Sequence, residues 1–232
     1  MRKRSLAIVS FSGIDGAGKS TQIEALQIWL AESGLKVSIF SMWDDVVVGA
    51  HWRELASHRA FGGDQGVGSP EKPLERRDKN VTSGPMDMIR LCFYLADAVS
   101  LWLRIRRLRH ATDDDVIIFD RYIYDELANL RLQQWLPRSV ARLILRIVPS
   151  PDLACIIDVI PEVARSRKPE YPLEFLHRNR RAYLGLRQLV KNLIVLEDSS
   201  VEETARNIRT AIMPILQGSS GPTHPASVAM LE

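Results

Sequence analysis

The sequence contains few cysteines, no long apolar run and little excess of charge of either sign. Cys92 and Cys155 are the only cysteines among 232 residues, and neither belongs to a CxxC motif. We therefore expect two buried free thiols in a reducing compartment rather than disulfides or a metal site. No segment reaches the ~18 consecutive apolar residues that a transmembrane helix needs. Together these absences predict a cytoplasmic protein without a membrane partner.

The charge balance gives no reason to expect a nucleic-acid partner. The net charge of +3 results from 31 Lys and Arg against 28 Asp and Glu, whereas nucleic-acid surfaces are strongly basic. Basic residues do cluster at 104–109 and 178–187. Two interpretations remain for these clusters, solvated helix faces or a field that attracts anionic substrates.

Apolar strand patterns alternate with helical patterns along the chain. This alternation predicts one α/β domain over residues 1–216, with a parallel sheet and helices on both faces. The expected strands are 5–12, 37–41, 116–119, 153–158 and 193–196. The expected helices are 19–33, 52–58, 86–109, 122–135, 139–147, one that begins at Pro161, 173–191 and 201–216.

Three segments have a distinctive composition. Residues 61–85 are rich in glycine and charge, which predicts a mobile loop or a substrate lid. Helix 86–109 is apolar almost all round, which predicts an interior helix, although the same pattern would suit a homodimer face. The tail 217–232 is rich in Gly, Ser and Pro, and we expect it to be disordered.

Polar side chains follow four of the predicted strands. In parallel sheets, ligands bind at the carboxyl ends of the strands. The residues concerned are Asp15 and Lys19 after the first strand, Asp44 and Asp45 after the second, Asp120 after the third and Asp158 after the fourth. This edge of the sheet is therefore the predicted site.

Residues 13–20 match the phosphate-loop pattern G-x-x-x-x-G-K-[ST], between a predicted strand and a predicted helix. The glycines allow successive backbone N–H groups to point at one anion, and the helix N-terminus adds partial positive charge. We expect Lys19 to reach the β- and γ-phosphates of ATP and Ser20 to bind Mg²⁺. The predicted ATP-binding residues are Gly13, Asp15, Gly16, Ala17, Gly18, Lys19, Ser20 and Thr21.

Three further charged residues are candidates for the site. Asp15 either stabilises the turn through an Asx hydrogen bond or accepts one from a substrate hydroxyl. Asp120 ends the third strand, where a carboxylate can hold Mg²⁺ directly or through water. Arg121 can clamp a phosphate with two hydrogen bonds, although a simple Asp–Arg salt bridge is the alternative.

At this point the sequence resembles the thymidylate kinase family of nucleoside-monophosphate kinases over residues 5–215. The resemblance depends on Phe11-Ser-Gly-Ile-Asp-Gly-Ala-Gly-Lys-Ser-Thr-Gln22, on Asp120-Arg-Tyr122, on Pro151-Asp-Leu153 and on Asp158-Val-Ile-Pro161-Glu162. The helix with Phe175, Arg178-Asn-Arg180 and Tyr183 extends it. The first motif is shared by many kinases, whereas the fourth-strand pattern together with Asp-Arg-Tyr is more particular.

The resemblance implies a five-stranded P-loop fold, ATP with Mg²⁺ as donor, and thymidylate as acceptor. It also implies roles for single residues: Asp15 would meet the hydroxyl of the acceptor sugar, and Arg121 would meet its phosphate. A loop arginine closes the site in some members of the family, but this chain has Ala17 there. A short lid at 165–173 would therefore supply the cation from Arg165, Arg167 or Lys168, with Arg167 as the catalytic candidate.

The acceptor side departs from the family pattern. Residues 41–45 read Ser-Met-Trp-Asp-Asp where the family has Arg-Glu-Pro, and Ala98 stands where the family has its base-reading arginine. Residues 124–130 also differ from the family near the acceptor. The predicted acceptor-binding residues are Asp15, Trp43, Asp44 and Arg121, with Trp43 stacking on a base.

Three functions remain open at this stage. A monophosphate acceptor needs cations and no general base, whereas a hydroxyl acceptor, as in a deoxynucleoside kinase, needs a carboxylate such as Asp44 or Asp45. A protein that only binds or slowly hydrolyses nucleotide is the third. It would yield ADP and phosphate without a phosphorylated acceptor.

Overall fold

The computed structural model describes residues 6–47, 84–130 and 132–218, with side chains from residue 91 onward in the second range. Five parallel strands lie at its centre. They are β1 (Ala7–Ser12), β2 (Val37–Ser41), β3 (Val116–Asp120), β4 (Leu153–Ile157) and β5 (Leu193–Leu196). Their spatial order is β2-β3-β1-β4-β5. The predicted α/β fold class, a five-stranded parallel sheet covered on both faces, is confirmed.

The three central strands are buried on both faces. β1 and β4 are buried throughout, and β3 is buried except for Asp120 at its end. A parallel sheet covered by helices on both sides needs apolar residues at every position, which explains the uninterrupted apolar runs. The edge strands β2 and β5 are only partly buried.

Eight α-helices of the described ranges accompany the sheet. They are α1 (Lys19–Glu32), α2 (Met42–Asp45), α3 (Gly84–Ala111), α4 (Ile123–Leu127), α5 (Trp135–Ile147), α6 (Pro161–Arg167), α7 (Leu173–Gly185) and α8 (Val201–Leu216). α1 packs against α8, and α3 packs against α5. None of the helices in the described ranges is long and apolar enough to cross a membrane.

The helix predicted over 122–135 is wrong in extent. α4 ends at Leu127, and the N–H groups of Asn129 and Leu130 then donate to carbonyls three residues back, so the helix tightens into a turn. Such turns keep nearly the same side-chain spacing, and periodicity alone therefore misses the break. α5 begins at Trp135 instead of residue 139, because Pro137 falls in the first turn, where its missing N–H costs nothing.

Three other helix predictions also change. The helix predicted over 173–191 ends at Gly185 and continues as a 3₁₀ turn, Leu186–Gln188. α3 begins at Gly84, so the last two residues of the predicted loop 61–85 belong to this helix. The expected helix 52–58, the rest of that loop and residues 219–232 lie outside the described residues.

The prediction that α3 is wholly interior is wrong. Leu91, Ala98, Leu101 and Ile105 are buried, but Phe93, Val99 and Leu103 are 44%, 45% and 40% exposed. Cys92 is exposed as well, contrary to expectation, whereas Cys155 in β4 is buried as predicted. The helix therefore presents apolar side chains both inward and outward, and the homodimer face stays a prediction.

Candidate functional site

The loop between β1 and α1 has the backbone of an anion-binding loop. Gly13, Gly16 and Gly18 have φ angles of 143°, 85° and 91°, which residues with a side chain rarely adopt. A Cβ on Gly13 would lie 2.6 Å from the carbonyl oxygen of Ile157, and one on Gly16 would lie 2.2 Å from that of Ala164. The first two glycines are therefore required both by conformation and by space.

The N-terminus of α1 fits a phosphate. Its N-cap is Gly18, and no side chain of the described residues caps it. The first N–H groups of a helix have no partner within the helix, and the helix dipole favours an anion there. Ser20 and Thr21, in the first turn, are exposed. This terminus can therefore receive the phosphates of a nucleotide.

Lys19 is buried at the centre of the loop. Its Nζ donates hydrogen bonds to the carbonyl oxygens of Gly13 at 2.9 Å and Ile14 at 3.0 Å. Burial, and next the positive charge of Arg121, lower the pKa of Lys19 to about 8. Nearby carboxylates oppose this shift in part. The side chain is thus a partly desolvated cation that a bound anion would stabilise.

We expect ATP binding to take up a proton at alkaline pH. Because the pKa of Lys19 is lowered to about 8, the free protein loses this charge near pH 8, and a bound phosphate would raise the pKa again. Proton uptake should therefore approach one per ATP between about pH 8 and 9 and fade at lower pH. Calorimetry in buffers of different ionisation enthalpy measures it. Uptake that persists in Lys19→Met would contradict this assignment.

The lowered pKa of Lys19 also determines how the free energy of unfolding changes with pH. Unfolded protein, with a lysine pKa near ~10.4, binds the proton above pH 8 where the folded protein has lost it. Without nucleotide, the Lys19 contribution should therefore increase the free energy of unfolding as pH rises from 8 toward 10. The comparison of wild type with Lys19→Met isolates this contribution.

Two oxygen-bearing side chains fit a magnesium ion. Ser20 lies in the first turn of α1, and Asp120 ends β3 as a partly buried carboxylate paired in register with Phe11 and Ser41. Magnesium in such sites takes one or two protein oxygens and completes its shell with phosphates and water. No cluster of three or more His, Cys, Asp or Glu suited to a metal occurs among the described residues. The donor set thus fits Mg²⁺ bound together with a nucleotide.

Arg121 lies between two carboxylates. One terminal nitrogen pairs with Asp15 Oδ1, and the other donates to Asp125 Oδ1 at 2.9 Å. Burial lowers the pKa of Arg121, but Asp125 and Asp15 outweigh it and hold this pKa above its usual range. Its φ angle of 68° is left-handed, which is rare for a residue with a side chain. The Asp15–Arg121 ion pair therefore joins the phosphate loop directly to the residue that follows β3.

Asp125 is one site residue that sequence reasoning missed. Its carboxylate accepts hydrogen bonds from Ser12 Oγ at 2.6 Å, Tyr122 N at 3.2 Å and Tyr183 Oη at 2.8 Å, in addition to Arg121. Burial and the Asp125 charge raise the pKa of Tyr183 well above its usual value, so the phenol stays a donor. The capping-box pattern gave no signal for it, because that pattern has Ser or Thr at the N-cap and Glu or Gln three residues later, whereas this turn has Tyr122 and Asp125.

A small polar recess collects most of the predicted acceptor residues. It is lined by Gly13, Ile14, Asp15, Trp43, Arg121, Asp125, Asn129, Asn179 and Tyr183. Asp44 is not among these residues. It is exposed in α2, where its backbone N–H lies 3.4 Å from Ser41 Oγ. Asp45 Oδ2 accepts from Ser41 N at 2.8 Å, so this carboxylate closes the turn.

A cavity of about 230 Å³ opens on the other side of the loop. Its lining includes Ala17, Gly18, Thr21, Gln22, Ile157, Asp158, Arg167, Glu197, Asp198, Ser199, Val201 and Thr204. Three predicted ATP-binding residues and the lid arginine thus meet here. Residues 197–199 follow β5 and were not among the predicted site residues, although they too lie at the carboxyl end of a parallel strand.

Comparisons with known proteins find similar sequences along most of the chain. The chain is 27% identical over 214 residues to a "Probable thymidylate kinase" of Methanosphaera stadtmanae, covering 90% of this chain and 98% of that protein. It is 27% identical over 212 residues to that of Methanobrevibacter smithii, covering 90% and 95%. The resemblance to the thymidylate kinase family is confirmed.

One bacterial relative extends the comparison. The thymidylate kinase of Bifidobacterium longum subsp. infantis is 24% identical over 229 residues, which cover 90% of this chain and 87% of that protein. No family model matches the chain. Similarity to thymidylate kinases therefore extends, at low identity, over nearly the whole length of this chain and of each relative.

The structure locates the departures from the thymidylate kinase pattern. Residues Met42–Asp45 form the single-turn helix α2, which places Trp43 at the recess. Ala98 is fully buried in α3, so nothing on its side chain can reach a base. The acceptor side thus differs from the thymidylate kinase pattern in the residues at these positions.

Helix α7 contacts residues that line the larger cavity and residues that line the small polar recess. Arg180 donates to the two oxygens of Asp158 at 2.6 and 2.7 Å, next to the larger cavity. Tyr183, one turn further on, donates to Asp125 in the small polar recess. The basic cluster 178–187 therefore includes one structural contact of the site and is not simply a solvated face.

Proposed function

We propose that this chain is an ATP-dependent kinase that transfers the γ-phosphoryl group to a nucleoside monophosphate, with thymidylate as the first acceptor to test. The observation that carries the proposal is the pairing of Asp15, inside the phosphate loop, with Arg121 at the end of β3. This ion pair places the phosphate loop, which would bind ATP, next to the arginine that would bind the acceptor phosphate. The curated relatives, named thymidylate kinases, support the same reaction.

The residues present suit the two halves of this reaction. Lys19 would hold the β- and γ-phosphates, and Ser20 and Asp120 would hold Mg²⁺, which supplies neutralising charge when bound. Arg121 would bind the acceptor phosphate, and Arg167 would approach from the end of α6. Phosphoryl transfer requires mainly positioning and charge neutralisation. A monophosphate with a second pKa near ~6 is largely dianionic at pH 7, so no general base is required.

The proposal predicts a contrast between two groups of variants. With a nucleotide acceptor, Arg121→Ala should lower kcat/KM by at least about a hundredfold, because a buried charge-assisted contact is lost. Asp44→Asn and Asp45→Asn should change it by less than about threefold, since neither carboxylate is needed as a base. An acceptor screen with labelled ATP across nucleoside monophosphates and nucleosides provides the measurement.

A second candidate function is supported by one observation. Both terminal nitrogens of Arg121 already bind carboxylates, so the recess contains two acids to one arginine. Such a recess would suit an acceptor that donates hydrogen bonds, as a nucleoside or other hydroxyl substrate does. Phosphorylated nucleosides as the product, loss of activity in Asp44→Asn or Asp45→Asn, and a dispensable Arg121 would select this hydroxyl kinase.

A further inference from the structure

We propose that Asp125 is a positioning residue that fixes Arg121 for the acceptor phosphate, and that Asp15 gives up Arg121 when the acceptor binds. This inference rests on the proposed monophosphate acceptor. It concerns the acceptor half of the site, where the chain departs most from the family pattern.

The first support is the difference in burial between the two carboxylates. The side chain of Asp125 is 4% exposed and that of Asp15 is 20% exposed. A buried carboxylate is stable only with its full set of hydrogen bonds, and Asp125 has four. Asp15 lies on the loop that lines the recess. A phosphate can therefore replace Asp15 at lower cost than Asp125.

The second support is the conformation of Arg121. Its left-handed backbone directs the side chain into the recess, and its N–H donates to Phe11 O at 2.9 Å. Asp125 accepts one hydrogen bond from the guanidinium of Arg121 and another from the backbone N–H of the next residue, Tyr122. One carboxylate thus fixes both the turn and the side chain, as expected where strain is retained for function.

The third support is the direction of the remaining guanidinium nitrogen. With one terminal nitrogen held by Asp125, the other is directed toward Asp15 and the recess. An acceptor phosphate that takes the position of the Asp15 carboxylate would keep this nitrogen satisfied. The released Asp15 could then accept a hydrogen bond from the acceptor sugar.

Steady-state kinetics of Asp125→Asn and Tyr183→Phe test the proposal. We expect the KM of the nucleotide acceptor to rise about ten- to a hundredfold in Asp125→Asn, which loses a hydrogen bond to a charged group. Tyr183→Phe, which loses a neutral donor, should raise it about three- to tenfold. At pH 7, where Lys19 with its pKa of about 8 is largely protonated, the KM of ATP should change much less than that of the acceptor in both variants.

A matched control removes a carboxylate that also accepts hydrogen bonds. Asp114→Asn alters the Thr112–Asp114 contacts before β3, at the opposite edge of the sheet. It should leave both KM values unchanged. If Asp125→Asn raises the KM of ATP and of the acceptor together and lowers the unfolding temperature, Asp125 only supports the fold and the proposal is overturned. An unchanged acceptor KM overturns it as well.

A spectroscopic measurement separates this inference from the proposed function. The side-chain Nε–Hε NMR signal of Arg121, assigned by its loss in Arg121→Lys, should shift or broaden in Asp125→Asn and stay unchanged in Asp114→Asn. If wild type phosphorylates no monophosphate, the proposed function fails, while this signal still reports whether Asp125 fixes Arg121. A signal that does not change in Asp125→Asn rejects the positioning role, whatever the activity.

Discussion

Lys19→Met is expected to reduce phosphoryl transfer by at least about a hundredfold, the effect of removing one preorganised charge at a reacting phosphate. The buried ammonium would bind the phosphate under the proposed function, and in the structure it donates hydrogen bonds to the carbonyl oxygens of Gly13 and Ile14. Methionine keeps most of the side-chain volume, so packing around the loop is preserved. The loss should therefore reflect missing charge and a looser loop.

The measurement is kcat with the best acceptor, together with magnesium-dependent ATP affinity. Lys36→Met is the matched control, because Lys36 is exposed and precedes β2 at the opposite edge of the sheet. It should behave as wild type. Normal turnover and normal ATP affinity in Lys19→Met would remove the basis of the proposed function.

Gly16→Ala should destabilise the protein far more than Gly18→Ala. Both glycines have a left-handed φ, of 85° and 91°, so both substitutions incur a similar strain of about 1–2 kcal/mol. Only Gly16 also meets the backbone, because its new Cβ would lie 2.2 Å from Ala164 O, whereas a Cβ on Gly18 would have no described atom within 4 Å. Either the loop or α6 must move in Gly16→Ala.

Denaturant unfolding without nucleotide measures this difference, because Gly18 also faces the proposed phosphate site. We expect Gly16→Ala to lose at least about 2 kcal/mol more than Gly18→Ala, as overpacking against backbone usually costs. Since Arg167 ends α6, turnover should fall in Gly16→Ala as well. Equal losses of stability would show that the loop accommodates the methyl group without displacing α6.

The conformation of the phosphate loop was predictable because its signals are local. Residues 13–20 carry the whole loop, and the uninterrupted apolar runs of β1, β3 and β4 follow from burial on both faces. The predicted strand bounds agree with the structure to within two residues. Sequence spacing alone was sufficient to predict the loop and these strands, because the residues that form each of them are close together along the chain.

The acceptor side was less predictable because distant segments build it. Ser12 and Tyr183 meet Asp125 across 113 and 58 residues, and no periodicity encodes such contacts. The break after α4 has the same origin, since helical spacing continues through a turn that tightens. The outward apolar side chains of α3 were missed because composition shows that a helix is apolar but not which of its faces is covered.

The two contacts of α7 have a consequence for the evolution of the site. Arg180 and Tyr183 are separated by a single turn, and they bond to carboxylates of different recesses. A shift of this turn of α7 would change the small polar recess and the larger cavity at once. Coupling between two binding sites is reciprocal by thermodynamic necessity. Under the proposed function, a mutation in α7 that favoured a new acceptor would therefore also change the binding of ATP, and the two substrates could not be adapted independently.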